Sequence, residues 1–376
     1  MNIAVFGAGF GDEGKGVVTD FLTKKYKSLN PMVVRFCGGH QVGHTVYNND
    51  IRHVFSNFGS GTLNGTPTYW SKFCTIDPIG IFNEWNVLNK KGITPKLFID
   101  KNCPVTTPFD KINNQKDITN LNNGTCGVGF GKTLQREEDH FSITALDILY
   151  PKILKIKLEQ LKQHYYMTYD SLSLDDFFHC CEFIINNPNI EICDDSKLQR
   201  SVKIFEGSQG LLLDQHYGFF PNVTRSNTGS KNIKELIPVN LDQIFMVSRA
   251  YQTRHGNGPM TNTEIKHDIE LSKDETNVSN KYQGDFRVSV LDLDLINYAI
   301  ERDTIFDEIK QKRRATNVNL VITCLEHTQH LYQYTHKGKE YWIPDEDEFL
   351  NSIKDHLVIP ANIYKCKNHI ISKVEG

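Results

Sequence analysis

Short apolar runs that end in glycine-rich polar stretches recur along the chain. Residues 2–6 and 32–36 are almost continuously apolar, as expected for strands that are buried on both faces of a sheet. Glycine-rich segments follow them, GAGFGDEGKG at 7–16 and CGGHQVGHT at 37–45. The same arrangement of an apolar run before a polar stretch returns at 201–210, 243–259 and 317–328.

Helical segments separate these predicted strands. Residues 17–25 and 154–165 have apolar positions at helical spacing, whereas 96–126 is rich in Asn and turn-forming residues, and we expect its second half to be a surface loop. Strands alternating with helices predict an α/β fold with a large, mainly parallel central sheet flanked by helices. We expect residues 1–376 to form a single domain with insertions, with its ligand site at the carboxyl ends of the strands.

Composition adds a few limits on function. The net charge of -3 gives no reason to expect nucleic-acid binding, and 39% hydrophobic residues is ordinary for a globular protein. The N-terminus opens with a strand rather than a signal peptide, and no stretch is long enough to span a membrane. Nine scattered cysteines without a C-x-x-C pair argue against a zinc site. These features predict reduced thiols and a cytoplasmic location, the host cytoplasm if the source is viral.

The first glycine-rich segment has the spacing of a phosphate-binding loop, with one unusual feature at its end and one inside it. Residues 9–15 fit G-x-x-x-x-G-K between a strand and a helix, so backbone N–H groups and Lys15 can meet phosphate. Gly16 stands where such loops carry the hydroxyl that holds Mg²⁺. Asp12 and Glu13 place acid beside the expected anion. Asp12 could ligate Mg²⁺ in place of the missing hydroxyl, or act as a base; a turn without any ligand is the alternative.

Other polar stretches offer groups for nucleotide chemistry. His44 could donate a proton to a developing oxyanion or stabilise a phosphoryl group, unless it is structural. Gln209, in EGSQG, could read a base edge with its amide. Thr224 and residues 226–228 could bind phosphate or cap a helix. The glycine loop at 123–132 also suits phosphate.

Five of these motifs occur together and in one order, which makes their combination specific. They are GDEGKG, GGHQVGHT, EGSQGLLLD, PNVTRSNT and AYQTRHGNGP. The set resembles the adenylosuccinate synthetase family from residue 2 to about residue 295. The resemblance implies a homodimeric, Mg²⁺-dependent carbon–nitrogen ligase with small-molecule substrates. Such an enzyme joins L-aspartate to C6 of a purine nucleoside monophosphate and consumes a nucleoside triphosphate.

The resemblance also implies residue roles. Asp12 would take the N1 proton and ligate Mg²⁺ with the carbonyl of Gly43, His44 would act as a general acid, and Lys15 would serve phosphoryl transfer. The positions that match the triphosphate site are Gly11, Asp12, Glu13, Gly14, Lys15, Gly16, Gly43, His44 and Thr45. Those that match the monophosphate site are Gln41, Thr125, Cys126, Gln209, Thr224 and Arg136, the last reaching across from the second subunit.

Two departures from the family pattern concern the substrates. At Thr323–Glu326 the chain has TCLE instead of Thr-Lys-x-Asp, whose Asp selects guanine, so ATP is the expected phosphate donor. The aspartate loop is QGDFRVSVLD at 283–292, where we expect Gln283, Gly284 and Arg287 to bind aspartate. An arginine that lies near the ribose in the family is missing, which would permit a 2′-deoxyribose.

These departures resemble the phage branch of the family that makes 2-aminoadenylosuccinate. The first hypothesis is therefore a ligase that condenses dGMP with aspartate at the expense of ATP. An ordinary adenylosuccinate synthetase that uses IMP and GTP is the alternative. A nucleotide-binding switch without ligase activity is a third reading, which Asp12 and His44 argue against because a switch needs neither a base nor an acid.

Overall fold

The computed structural model describes residues 1–48, 50–117, 125–165, 172–238, 240–271, 284–311, 316–329 and 331–374. The strands are β1 Asn2–Gly7, β2 Met32–Arg35, β3 His44–Asn48, β4 Ile51–Phe55, β5 Thr68–Trp70, β6 Leu97–Asp100, β7 Ile190–Cys193, β8 Lys203–Gly210, β9 Gln243–Arg249, β10 Gln252–His255, β11 Phe286–Ser289, β12 Leu291–Asp292, β13 Asn317–Thr323, β14 Tyr332–His336, β15 Lys339–Ile343, β16 Asn362–Lys367 and β17 Ile370–Lys373. The helices are α1 Lys15–Lys25, α2 Pro78–Lys90, α3 Pro108–Lys116, α4 Phe130–Glu138, α5 Ala145–Ile148, α6 Pro151–His164, α7 Asp175–Asn186, α8 Ser230–Leu236, α9 Leu293–Arg302, α10 Thr304–Lys310 and α11 Glu346–His356.

A ten-stranded sheet forms the centre of the molecule. Its order is β17-β16-β13-β9-β1-β8-β2-β5-β6-β7, and neighbouring strands run parallel except β16 and β17. The five strands predicted from the apolar runs are β13, β9, β1, β8 and β2, which are contiguous in this order. The predicted α/β class with a mainly parallel sheet is therefore confirmed, and the carboxyl ends of these five strands lie at one edge.

Strand β1 shows why these runs are apolar on both sides. Ala4 and Phe6 pack into one hydrophobic cluster, whereas Ile3 and Val5 belong to another. All four side chains are fully buried. A strand in the middle of a parallel sheet has no solvent-facing side, so the period-two alternation of a half-buried strand disappears.

The loop predicted for the second half of 96–126 is wrong for residues 111–116. Residues 108–116 form α3, which begins with Pro108 and a reciprocal capping box between Thr107 and Asp110. The Asn-rich composition hid this start signal, since proline at the first helical position and Thr-x-x-Asp are both helix-initiating. Residues 118–124 lie outside the described residues. None of the described helices is long and apolar enough to cross a membrane.

Candidate active site

One large cavity opens at the carboxyl edge of the sheet, where the sequence places the ligand site. Its volume is about 1070 Å³, and its walls come from segments that follow β1, β2, β8, β9 and β13. Side chains and backbone from positions 10–17, 41–45 and 208–209 line it together with 221–225. The edge of a parallel sheet thus gathers segments that are more than 200 residues apart in the chain.

The Glu13 side chain points into the phosphate loop and away from solvent. The buried Glu13 carboxylate accepts hydrogen bonds from the backbone N–H groups of Gly9 (3.2 Å) and Gly11 (2.7 Å). Its other oxygen accepts a bond from Lys15 Nζ at 2.5 Å. Glu13 therefore acts as an internal anion for the first part of the loop, and only its backbone is left for a triphosphate.

The structure also gives a steric reason for glycine at position 16. A Cβ atom on Gly16 would lie 2.8 Å from Cβ of His44 and 3.0 Å from Oγ of Ser60. The first turn of α1 is thus packed directly against the start of β3, which carries His44. A serine or threonine there would need one of these segments to move, so the metal-binding hydroxyl of other phosphate loops has no space here.

Asp12 lies at the turn of the loop with its side chain at the cavity. Its backbone has φ 62°, in the left-handed region, and its carbonyl accepts a 2.6 Å hydrogen bond from Nε of Arg249. Burial raises the pKa of the Asp12 carboxyl above its usual value, although the Arg249 guanidinium opposes the shift. A carboxylate with a raised pKa is a better proton acceptor, as a general base requires.

His44 is held by a buried acid that the sequence analysis did not single out. Its Nδ1 lies 2.8 Å from Oε1 of Glu206, a fully buried residue of β8 that is also bound by the hydroxyl of Ser60 and lies 3.8 Å from Nη1 of Arg35. Burial opposes ionisation of Glu206, but His44 and Arg35 bring its pKa down to about 2. Burial lowers the pKa of His44, and the Glu206 charge opposes that shift.

The contact between Nδ1 and Glu206 leaves Nε2 of His44 available for a substrate. Since Nδ1 is engaged by Glu206, Nε2 is directed to the cavity and has no hydrogen-bond partner in the described structure. The signal that could have revealed Glu206 is a lone acid inside an otherwise apolar strand. Such a residue is costly to bury unless it is paired.

Several other polar atoms in the cavity wall are buried without a partner among the described residues. They include both amide atoms of Gln41, Oε1 of Gln209 and Oε2 of Glu326. Buried polar atoms are normally hydrogen-bonded, so their concentration in one cavity indicates a polar ligand. The first two lie at positions expected to bind the monophosphate, and the third lies in the TCLE stretch.

The remaining predicted nucleotide ligands also line this cavity. Thr125 exchanges hydrogen bonds with the Asn114 side chain (3.0 and 3.1 Å), and the charge of Asp12 together with burial raises the pKa of Cys126 to about 11. The structure therefore brings most of the sequence-predicted positions together. The positions that line the cavity are Gly11, Asp12, Glu13, Gly14, Lys15, Gly16, Gln41, Gly43, His44, Thr45, Thr125, Cys126, Gln209 and Thr224.

Arg136 is the clear exception, and the expectation that it reaches a monophosphate in a second subunit is wrong. Its side chain is 1% exposed. Nε contacts Asp110 at 3.1 Å, and the two terminal nitrogens donate to Glu137 and to the carbonyls of Phe141 and Val105. A guanidinium that is occupied and buried in its own subunit has nothing left for a ligand outside it.

This placement predicts a stability effect. Replacing Arg136 with Met should lower the free energy of unfolding by about 3–5 kcal/mol, because it leaves the buried Asp110 charge without its partner. Urea unfolding measures this loss. The affinity of the folded variant for purine monophosphate should stay unchanged. A variant of normal stability that binds the monophosphate poorly would instead identify Arg136 as a ligand.

The predicted aspartate site is only partly described. Gln283 lies outside the described residues, and Gly284 accepts a 3.3 Å contact from Nε2 of His255 through its carbonyl. Arg287 does not line the cavity; its Nη2 donates to the carbonyls of Gly256 and Gly258 at 2.7 and 2.9 Å. Sequence reasoning missed Arg254, which pairs with Arg287 across the β10–β11 ladder and does line the cavity.

A further part of the cavity wall comes from β3, the segment after β13 and the β16–β17 turn. It is formed by Tyr47, Cys324, Glu326 and the β16–β17 turn. The ring of His369, in that turn, stacks on Tyr47 with centroids 4.1 Å apart. This turn could not be predicted from the sequence, because its place in the cavity depends on the pairing of β16 with β13.

No group of three or more His, Cys, Asp or Glu side chains within the described ranges could hold a metal ion by itself. The cavity offers a different kind of metal site. It has one carboxylate, Asp12, beside backbone carbonyls and a phosphate loop. Mg²⁺ is commonly bound by one or two carboxylates with substrate phosphates and water completing its shell. The residues present therefore fit a magnesium ion that arrives with a triphosphate.

Comparisons with known proteins agree with this geometry. The model of the adenylosuccinate synthetase family matches residues 4–350. The chain is similar to adenylosuccinate synthetase of Thermoplasma acidophilum, with 30% identity over 331 residues, which cover 81% of this chain and 74% of that protein. It is also similar to the Borrelia turicatae enzyme, with 29% identity over 377 residues, 93% of this chain and 84% of that protein.

Solved structures share the fold. The fully ligated adenylosuccinate synthetase from Plasmodium falciparum aligns with a TM-score of 0.72 at 18% identity, covering 98% of this chain and 97% of that one. The succinoaminodeoxyadenylate synthetase of cyanophage S-2L, bound to dGMP and to dATP as an energy donor, aligns with a TM-score of 0.65 at 14% identity, covering 100% and 95%.

Proposed function

The chain belongs to the adenylosuccinate synthetase family of carbon–nitrogen ligases, and from that premise we propose that it joins L-aspartate to C6 of dGMP with ATP as the phosphate donor. The products are N6-succino-2-amino-2′-deoxyadenylate, ADP and phosphate. The observation that carries the reaction type is the convergence of the Asp12 carboxylate, the free Nε2 of His44 and the Lys15 phosphate loop in one cavity.

The proposed mechanism assigns the proton transfers to two residues. Asp12 takes the proton from N1 of the purine, which places negative charge on O6. O6 then attacks the γ-phosphorus of the triphosphate, breaking its bond to the bridging oxygen, and His44 stabilises the moving phosphoryl group through Nε2. The amino group of aspartate displaces the resulting phosphate from C6 and loses its proton. Lys15 neutralises charge that develops on the phosphates.

We propose Mg²⁺ as the metal, held by the Asp12 carboxylate and the Gly43 carbonyl. When bound, the ion would neutralise negative charge on the triphosphate. The chain's own part is to keep Asp12 in its left-handed turn through the hydrogen bond from Arg249. The cavity wall also excludes bulk water from Nε2 of His44, whose residue is 6% exposed.

The assignment of a deoxynucleotide rests on the 283–292 stretch. An arginine that lies near the ribose in the family is missing from this stretch, and the retained Arg287 donates to the carbonyls of Gly256 and Gly258. A ribose 2′-hydroxyl would therefore lack the guanidinium that the family pattern supplies. The fold similarity to a phage enzyme whose structure holds dGMP supports the same substrate.

The assignment of ATP rests on the wall that contains Glu326. Its unpaired Oε2 can only accept hydrogen bonds, which suits the 6-amino group of adenine. The family's lysine is replaced by Cys324 at this wall.

Aspartate is proposed to bind near the antiparallel strand pair β10–β11, where Gly284 and Arg287 lie beside His255.

An ordinary adenylosuccinate synthetase that uses IMP and GTP is the second candidate. Its support is the retained Asp12 and the similarity to enzymes of that name at 29–30% identity. The Glu326 carboxylate could also accept the N1–H and 2-amino groups of guanine, so the donor base needs a direct comparison.

Phosphate release decides between the candidates. The protein is mixed with Mg²⁺ and aspartate, and IMP, GMP or dGMP is offered against ATP or GTP. We expect dGMP with ATP to give the highest kcat/KM, because the family's ribose arginine is missing from the 283–292 stretch and Glu326 offers an acceptor to the donor base. Preference for IMP with GTP would support the second candidate, and no aspartate-dependent turnover with any pair would favour a nucleotide-binding switch.

A further inference from the structure

The strand pair that carries His44 lies outside the central sheet. Among the described strands, β3 and β4 form a separate two-stranded antiparallel sheet, in which His44 pairs with Phe55. On one side this pair packs on the start of α1, where a Cβ atom on Gly16 would lie 2.8 Å from Cβ of His44. The backbone hydrogen bonds of the ten-stranded sheet therefore do not fix the position of His44 over the phosphate loop, and other contacts must hold the strand pair.

Glu84, in α2, binds the segment at the end of β4 from the other side. Its Oε2 accepts hydrogen bonds from the backbone N–H groups of Asn57 at 2.6 Å and Ser56 at 3.2 Å, and from Nδ2 of Asn57 at 2.9 Å. Its Oε1 lies 3.2 Å from Nε2 of His53. The residue is 8% exposed, so a buried carboxylate is bound to donors of one short segment, 53–57. Hydrogen bonds to a charged acceptor are stronger than neutral ones.

The contact between Glu84 and His53 has a defined direction. Nζ of Lys91, directly after α2, lies 3.2 Å from Nδ1 of His53 and 2.7 Å from the carbonyl oxygen of Arg52. An ammonium group can only donate, so Nδ1 accepts and Nε2 carries the proton that is donated to Glu84. The α2 segment thus holds β4 near both of its ends.

One hydroxyl connects this segment to the turn before His44. Oγ of Ser56 donates to the carbonyl of Val42 at 2.7 Å. Val42 directly precedes Gly43 and His44, and all three line the cavity, whereas Ser56 and Glu84 do not. Glu84 is therefore connected to His44 through Ser56 and the backbone, without contact with the space that a substrate would occupy.

We propose that Glu84 is a positioning residue for phosphoryl transfer, which sets the place of His44 by fixing Ser56 against α2. The proposal rests on the proposed function in giving His44 a part in that transfer, but not on which purine or triphosphate reacts. A glutamine cannot replace this carboxylate, because its amide NH2 would face N–H donors at one of the two oxygen positions. The donors of segment 53–57 are thus the reason for an acid at position 84.

Ser56→Ala tests the connection with little change to the fold, since the backbone N–H that Glu84 binds is kept. We expect kcat to fall about 5-fold, the loss of one neutral hydrogen bond, with KM for each substrate unchanged. Glu84→Gln should lower kcat about 10-fold or more, and Glu84→Asp, which keeps the charge, should recover part of that loss. Ser28→Ala and Glu182→Gln, at exposed positions after α1 and on α7, are the matched controls.

Combining each substitution with His44→Ala separates positioning from a general loss of structure. If Glu84 and Ser56 act through His44, neither substitution should slow single-turnover phosphoryl transfer further once the imidazole is absent. A general disturbance of the cavity would instead multiply with the loss in His44→Ala. Equal fold losses in the two backgrounds, or wild-type kcat in folded Ser56→Ala and Glu84→Gln, would overturn the proposal.

Amide hydrogen exchange gives a readout that needs no turnover. In Ser56→Ala and Glu84→Gln the amides of β3 should exchange about 5-fold faster or more than in wild type, whereas those of β1 and β8 should not change. Unchanged exchange in β3, or equally faster exchange throughout the chain, would overturn the positioning role. Absence of turnover in wild type, with faster exchange confined to the β3–β4 pair, would overturn the proposed function and still identify Glu84 as the residue that holds the pair.

Discussion

Asp12→Asn should reduce kcat by about 10³-fold or more while the protein keeps its fold, because the amide can neither take the N1 proton nor contribute a negative charge to a metal site. Asparagine is the right substitution here. The residue has φ 62°, and Asn tolerates the left-handed region better than Ala does. Phosphate release with dGMP, ATP and aspartate measures the loss.

The control for this variant is Asp195→Asn, which removes one carboxylate from an exposed position outside the cavity. It should leave both activity and stability unchanged. Circular dichroism and urea unfolding establish that Asp12→Asn is folded. Activity close to that of wild type in the folded variant would refute the role of Asp12 as the base.

His44→Ala should lower kcat by about 10²–10⁴-fold, the range expected for loss of a general acid, with a small effect on triphosphate affinity. The reason is the position of Nε2, which faces the cavity while Nδ1 is bound to Glu206. Single-turnover phosphoryl transfer measures the step directly. A nucleotide-binding switch would show no such loss, because it needs no acid.

Glu206→Gln tests whether the Glu206 charge sets the pKa of His44. The Glu206 charge opposes the burial that lowers the pKa of His44, so its removal should lower that pKa further. If the imidazolium is the active form, kcat should begin to fall at a lower pH in the variant than in wild type as the pH rises. A uniform fall in kcat at every pH, with no shift of the profile, would indicate that Glu206 is only structural.

Unfolding measurements accompany this variant, because Glu206 also binds the Ser60 hydroxyl and lies near Arg35. Ser60→Ala is the matched control, since it removes one neutral bond to the same carboxylate and leaves its charge. We expect the pH profile of Ser60→Ala to stay close to that of wild type.

The sequence was informative wherever a feature depends on residues that are consecutive in the chain. The phosphate loop at residues 9–15 could be recognised because strand, glycine spacing, lysine and helix are all local. The five apolar runs predicted the central strands, which are contiguous in the sheet, because continuous burial on both faces leaves a direct mark on composition. The order of the five motifs identified the family for the same reason.

Local reading failed where a residue's partner lies far along the chain. Arg136 was assigned to a ligand because the resemblance matches it to an arginine that reaches the monophosphate from a second subunit, but Asp110 and the carbonyl of Val105 occupy it inside the fold. Glu206 could be noticed as an acid in an apolar strand, but its partner could not be predicted, because the His44 that it holds lies 162 residues away. Such pairs depend on which strands are neighbours, and a local pattern does not specify that.

The sequence by itself determined the fold class, the family and the phosphate-loop spacing of residues 9–15. Only the tertiary structure decided that the Glu13 side chain turns inward, that position 16 has no room for a Cβ next to His44, and that Glu206 holds His44. The physical reason is that backbone conformation follows short-range preferences, whereas the electrostatics of a site arise from charges that long-range packing brings together.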